Sequence, residues 1–164
     1  MKYSFEIKER AIGKERPRYS AKNGRMYTPT KTSSFEEKVR FAFKSKYNIA
    51  LEPSTREFKV KITAYFKPAE SLSKKKKQEL IDGEFGFLHR PDADNVAKAI
   101  LDALNGLAYK DDSQVANLLI FKLYGEENKI LVEMEEINWT GVKTNENIWT
   151  FRKEIKTLSK EYMS

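Results

Sequence analysis

Cysteine is absent from the 164-residue chain. That excludes disulfides, thiolate metal sites and a cysteine nucleophile, and it fits a reducing compartment, so the expected location is cytoplasmic. Histidine occurs once, as His89. A multi-histidine zinc site is thereby excluded, and any bound metal must take mainly oxygen ligands, as Mg²⁺ and Mn²⁺ do. No apolar run is long enough to span a bilayer, and Met1 to Ile12 alternates charged and apolar residues without a signal-peptide core. Internal repeats and low-complexity segments are also lacking. What the chain has in excess is positive charge: 31 Lys and Arg against 24 Asp and Glu, a formal net charge of +7. A basic balance points to a polyanionic partner, nucleic acid foremost, and says nothing of fold. Length and apolar content fit one domain with a real core.

Alternation of apolar and polar residues marks strands at Tyr3–Ile7 and at Glu57–Phe66. Gly13 to Thr32 has no period and reads as a long loop. Ser33 with Glu36 forms a capping-box pattern that opens a helix to about Lys46. A short basic helix runs from Lys74 to Ile81, stopped by Gly83. Phe85 to Pro91 is extended, since Pro91 biases Arg90 away from helix. Asn95 to Leu107 is the strongest helix. Val115–Tyr124 and Ile130–Ile137 are strands joined by the turn at Gly125 to Asn128, and Ile148 to Tyr162 reads as a terminal helix. The expected fold class is α+β, a single domain over residues 1–138 with a mixed β-sheet flanked by helices, followed by an extension, residues 139–164, that packs on the domain or on a partner.

The stretch from Arg90 to Val115 reads RPDADNVAKAILDALNGLAYKDDSQV. At about 100° per residue, Asp94, Asn95, Lys98, Asp102 and Asn105 fall in one polar wedge, and Val96, Ile100, Leu101, Ala103, Leu104 and Leu107 fill the opposite arc. Asp92 stands just ahead of the helix, and Asp111 and Asp112 follow it by a short turn. Carboxylates converging beside a lysine suit phosphodiester hydrolysis: they hold Mg²⁺, which neutralises phosphate and activates water, while a lysine stabilises charge on phosphorus. Plainer readings stand beside this one. Asp92 or Asp94 caps the helix; Asp94–Lys98–Asp102 forms i,i+4 ion pairs; Asp111–Asp112 is a turn.

The same residues carry a resemblance. Asp92-Ala-Asp94-Asn95-x-x-Lys98, then Asp102-Ala-Leu104, then Asp111-Asp112-x-Gln114-Val115, resembles the RusA family of Holliday junction resolvases of bacteria and phages. Gly13-Lys14-x-Arg16-Pro17-Arg18, Tyr27 and Thr28-Pro29 resemble the amino-terminal part of a branch of that family, and the likeness covers roughly residues 1 to 138. It implies a homodimer that cleaves four-way DNA junctions with Mg²⁺ or Mn²⁺. It assigns Asp92, Asp94 and Asp112 as catalytic, metal-holding aspartates and Lys98 as the catalytic lysine. Asp102 is read as support for Lys98, and Asp111 as a neighbour.

Residues 8 to 31 carry eight cations, with Tyr19 and Tyr27 among them. Cations neutralise phosphates and aromatic rings stack on unpaired bases. Lys14, Arg16, Arg18, Arg25 and, beside Asp92, Arg90 are the expected DNA contacts, against the plain reading of a solvated loop. His89 is a candidate general base or an ordinary edge histidine. Three rivals remain for the chain as a whole: a non-catalytic module binding branched or single-stranded DNA, a metal-dependent nuclease with another branched substrate, and an interaction protein.

Overall fold

The alternation of Tyr3, Phe5 and Ile7 becomes strand β1 (Lys2–Ile7) in the computed structural model, with all three side chains buried. The structure describes residues 1–47, 53–83 and 86–137. The expected extension over 139–164, with its terminal helix, lies outside the described residues, as does Phe85.

After β1 come a two-stranded hairpin, β2 (Arg18–Ser20) and β3 (Arg25–Tyr27), then helix α1 (Thr30–Lys46) and strand β4 (Phe58–Phe66). Helices α2 (Lys74–Ile81) and α3 (Ala93–Leu104) follow, then β5 (Val115–Tyr124) and β6 (Lys129–Glu136). The main sheet runs β1-β6-β4-β5 and is mixed: β1–β6 and β6–β4 are antiparallel, β4–β5 parallel. The fold is α+β, as the pattern of elements implied.

Helices α1 and α3 pack on each other, α1 against β1 and α3 against β5. The registers Phe5↔Val132 and Val132↔Ile62 align the apolar positions of β1, β6 and β4 on one face, buried together with Phe35, Val39 and Phe43 of α1 and Val96 and Ile100 of α3. The opposite face carries cross-strand ion pairs. Glu135 meets Lys2 at 3.2 Å and Lys59 at 2.8 Å, and Glu133 meets Lys61 at 3.1 Å. Both glutamates sit on the internal strand β6.

Two expectations change, and the sheet order settles a connection that the sequence left open. The loop from Gly13 to Thr32 contains the β2–β3 hairpin, whose three-residue strands are too short to show a period. Helix α1 begins at Thr30 behind Pro29, and no Ser33–Glu36 capping box forms. Pro29 supplies the carbonyl that accepts the Thr32 and Ser33 amides, Ser33 Oγ donates to the Thr30 carbonyl, and Glu36 turns instead to Lys14. Lastly, β5 and β6 are joined by a short turn yet do not pair, because β4 lies between them. The connection crosses the end of β4, where Gly125 N donates to the Phe66 carbonyl and Lys67 N to Asn128 Oδ1. A Cβ on Gly125 would stand 3.0 Å from the Cβ of Tyr65, so the crossing needs glycine.

Candidate active site

Helix α3 starts two residues before the expected Asn95 and ends at Leu104, so Asn105 and Leu107 lie beyond it, and within it the expected amphipathic pattern holds. Val96, Ala97, Ala99, Ile100, Leu101, Ala103 and Leu104 are buried, while Asp94 and Lys98 are exposed and Asp102 is half-buried. Asp92 occupies the cap position with extended backbone, and its carbonyl accepts from Val96 N at 3.1 Å. Its side chain makes no capping hydrogen bond. Among the described residues neither Asp92 nor Asp94 forms an ion pair. Capping and salt-bridging thus do not account for these two carboxylates, which stand open at the first turn of the helix.

Beyond α3 the chain doubles back. Gly106 adopts a φ of 71°, a left-handed conformation suited to glycine, and its amide donates to the Tyr109 carbonyl at 2.8 Å. Tyr109 is fully buried, its ring edge-on to Phe58 and its hydroxyl donating to the Leu101 carbonyl at 2.9 Å. Burial raises its pKa far above the ordinary phenol range. Next comes a 3-10 turn, Asp112–Gln114, capped by Asp111, whose Oδ1 accepts from Ser113 N at 3.0 Å. Hydrogen bonds from the Ser113 side chain and from its amide hold the Asp111 carboxyl below its ordinary pKa. Gln114 locks the turn: its Oε1 accepts from the Lys110 and Asp111 amides, and its Nε2 donates to the carbonyls of Ser54 and Arg56 at 3.0 and 2.7 Å.

This turn sets Asp112, half-buried, beside Asp102. Burial raises the Asp112 pKa, the hydrogen-bonded Asp102 carboxylate and Asp111 raise it further, and Lys98 opposes them. Asp102 is itself held by two lysines, Lys14 at 3.0 Å and Lys98 at 3.9 Å. Lys14 lies nearer, so Asp102 supports it more closely than it supports Lys98. The Lys14 ammonium also donates to Glu36 of α1, and its amide donates to the Asn95 carbonyl at 2.9 Å. Burial works against the Lys14 charge, but its bonds to Glu36 and Asp102 outweigh that and raise its pKa. Gly13 permits the close approach: a Cβ there would stand 3.1 Å from Asn95 and 3.3 Å from Pro91.

The expected DNA contacts divide. Arg16, Arg18, Arg25 and Arg90 are exposed. Lys14 is turned inward, its side chain 18% exposed and shared between two carboxylates. Lys14 thereby ties the basic arm to α1 and α3. His89 is exposed, edge-on to Phe87, and its carbonyl accepts from Lys122 Nζ at 2.8 Å. Phe87 is stacked on Phe66 at 3.9 Å.

The expected meeting of Asp92, Asp94 and Asp112 at one point is not what the side chains do. Asp94 and Asp102 are two turns apart on α3, roughly 12 Å along its axis, and Asp112 lies beside Asp102. Among the described residues no three acidic or histidine side chains are grouped to hold an ion. The donor set is nonetheless all oxygen, and the close Asp102–Asp112 pair carries a repulsion that a cation relieves. Glu36, Tyr109 and the link from Lys14 to Asp102 had no sequence signal, because each partner is distant along the chain or identified only by the turn that delivers it.

The fold and site describe an α+β domain that presents carboxylates and a lysine along one helix, with an arginine-rich arm anchored at that helix's start. Residues 10–135 match the family described as endodeoxyribonuclease RusA, and the chain belongs to that family of endonucleases acting on branched DNA. It is also 32% identical over 136 residues to the uncharacterized protein YqaN of Bacillus subtilis (strain 168), covering 82% of this chain and 96% of that protein. Among the described residues no helix is long and apolar enough to cross a membrane.

Proposed function

We propose that the chain resolves four-way DNA junctions by Mg²⁺-dependent phosphodiester hydrolysis, with two copies of the chain nicking two strands symmetrically. The observation that carries this reading is the polar ridge of α3. Asp92 and Asp94 stand there without an ion-pair partner among the described residues, and Lys98 and the Asp102–Asp112 pair follow on the same side. Carboxylates left open beside an arginine-rich arm repel phosphate unless they serve it through a cation. Asp92, Asp94 and Asp112 are the ligands proposed for Mg²⁺, with Mn²⁺ as a substitute. Mg²⁺ keeps several waters and needs only one or two direct carboxylates, so it is served by Asp92 and Asp94 or by Asp112 without all three meeting at one ion. When bound, the ion supplies charge neutralisation and an acidified water.

The chain's own residues do the rest. Lys98, exposed one turn beyond Asp94, reaches the scissile phosphate and stabilises charge on its oxygens. Arg90, two residues before Asp92, holds the neighbouring phosphate. Arg16, Arg18 and Arg25 grip the arm of DNA that approaches the start of α3. The outer edge of β5 supports the pairing of two copies: from Val115 to Phe121 it has no partner strand among the described residues, and Leu118 there is 44% exposed.

The test is cleavage of a labelled synthetic four-way junction in Mg²⁺, with linear duplex of the same sequence alongside. Asp94→Asn should lower cleavage at least about a thousandfold while junction binding is kept or strengthened. Cleavage surviving in that variant would remove Asp94 from the site. Binding without cutting by the unaltered chain, in both Mg²⁺ and Mn²⁺, would make it a DNA-binding module.

A further inference from the structure

We infer that the β2–β3 hairpin is the element that distinguishes a branch point from continuous duplex, by covering with Tyr19 and Met26 the base-pair faces that an open branch point leaves unstacked. The inference rests on the branched-DNA reading above and adds the residues that select the branch.

The hairpin is pinned at its root and open everywhere else. On the incoming side, Lys14 N is bonded to the Asn95 carbonyl of α3 and Glu15 N to Thr32 Oγ1 of α1, and Thr32 is fully buried. On the outgoing side, Pro29 is buried at the start of α1. Every residue from Arg16 to Thr28 except Ser20 is exposed. The turn between the strands is closed by Gly24 N and Asn23 N, both donating to the Ser20 carbonyl, with Gly24 at a φ of 62°. A short, defined ribbon therefore projects into solvent from beside the first turn of the catalytic helix.

Its register gives the two sides different chemistry, since directly opposed residues of an antiparallel pair share a face. Tyr19 opposes Met26, and they are 65% and 62% exposed. This apolar pair has no core to serve. On the other face, Arg18 opposes Tyr27 and Ser20 opposes Arg25. Near the turn, Ser20, Asn23, Arg25, Met26 and Tyr27 line an open concavity of about 710 Å³. From Arg16 to Phe35 the chain has Arg16, Arg18, Lys22, Arg25 and Lys31 and no carboxylate. Charge complementarity therefore selects a polyanion as occupant. An apolar pair on the reverse side of a cationic ribbon is wasted on duplex, whose base-pair faces are stacked shut. At an unstacked four-way branch, the form present without divalent cations, the faces at the centre are open, and an aromatic ring and a thioether supply sequence-tolerant stacking on them. Arg18 and Arg25 meanwhile hold the backbone of the strand that passes over the ribbon.

The test measures binding of fluorescently labelled four-way junction and of linear duplex by anisotropy, in EDTA, so that no cutting is involved. The unaltered chain should prefer the junction. Tyr19→Ser combined with Met26→Ser should weaken junction binding about tenfold and duplex binding by less than about twofold, with an unchanged melting temperature because neither side chain is in the core. Tyr19→Phe should keep the preference, since the ring and not the hydroxyl makes the contact. Arg18→Ala with Arg25→Ala should weaken both substrates alike and lower the salt dependence of binding. Equal loss on both substrates in the Tyr19/Met26 variant, no loss on either, or no junction preference in the unaltered chain would overturn the inference. A hairpin-dependent preference in a protein that cuts nothing in Mg²⁺ or Mn²⁺ would sink the nuclease reading and leave this one standing.

Discussion

Asp112 shows how a single residue ties function to stability. Its carboxyl is held partly out of water, next to Asp102, and its pKa is raised for both reasons. A raised carboxylate pKa means the folded state binds the proton more tightly than the unfolded chain. The folded state therefore gains stability as pH falls through the folded pKa, and at neutral pH the ionised group is a cost. Asp112→Asn removes that cost. The expected result is a melting temperature higher by roughly 1–2 °C at pH 7, shrinking to nothing below the ordinary carboxylate range, together with loss of cleavage. A variant that is inactive but less stable at pH 7 would contradict this account. Asp111, one residue earlier, behaves oppositely. It is spent on the Ser113 amide, which marks it as the residue that shapes the turn rather than one that meets substrate.

At the scale of elements, the return turn after α3 matters as much as the helix. Tyr109 satisfies the Leu101 carbonyl, one of the last-turn carbonyls that a helix leaves unpaired, and fills the core against Phe58. Tyr109→Phe keeps the ring and drops the hydroxyl, so chemical denaturation should show a loss of about 1 kcal/mol. The loss should come with a weaker Asp102–Asp112 contact, read as a shift of the Asp112 titration toward its ordinary value. The elements that sequence made legible are those with a period: β1 from Tyr3, Phe5 and Ile7, β4 from Phe58 to Phe66, α3 from its opposed polar and apolar arcs. What it hid has physical reasons. Three-residue strands carry no period, so the hairpin was concealed. Pro29 pre-empted the cap that Ser33 and Glu36 advertised. The pairing of β6 with β1 and β4 in preference to its sequence neighbour β5 is a choice made by packing, not by the turn between them. For the site, the residue types along α3 were readable from spacing, but the inward turn of Lys14 depends on Glu36 and Asp102 arriving from two other elements.

For the whole molecule, the net charge of +7 is concentrated where it can act, on an arm free of carboxylates from Arg16 to Phe35. A pair of such arms and a pair of α3 ridges, related by a two-fold axis, would match the symmetry of a four-way junction. Light scattering at working concentration should accordingly give twice the 19.1 kDa chain mass. A monomer would remove the paired nicks from the proposed function while leaving single-strand cutting possible.

The sheet order has a consequence for when such an enzyme becomes active. Strand β1, the first made, waits for β6, the last described strand, because Lys2–Ile7 pairs with residues 130–135 and with no other strand of the sheet. On the ribosome, β4, α3 and β5 emerge while β1 still lacks its neighbour, and α1 packs against β1 as well as α3. The arm is anchored through α1 and α3 together, so its alignment with the carboxylates is completed only after nearly the whole domain has been synthesised. A chain still being synthesised, however basic, therefore lacks the aligned arm and carboxylates.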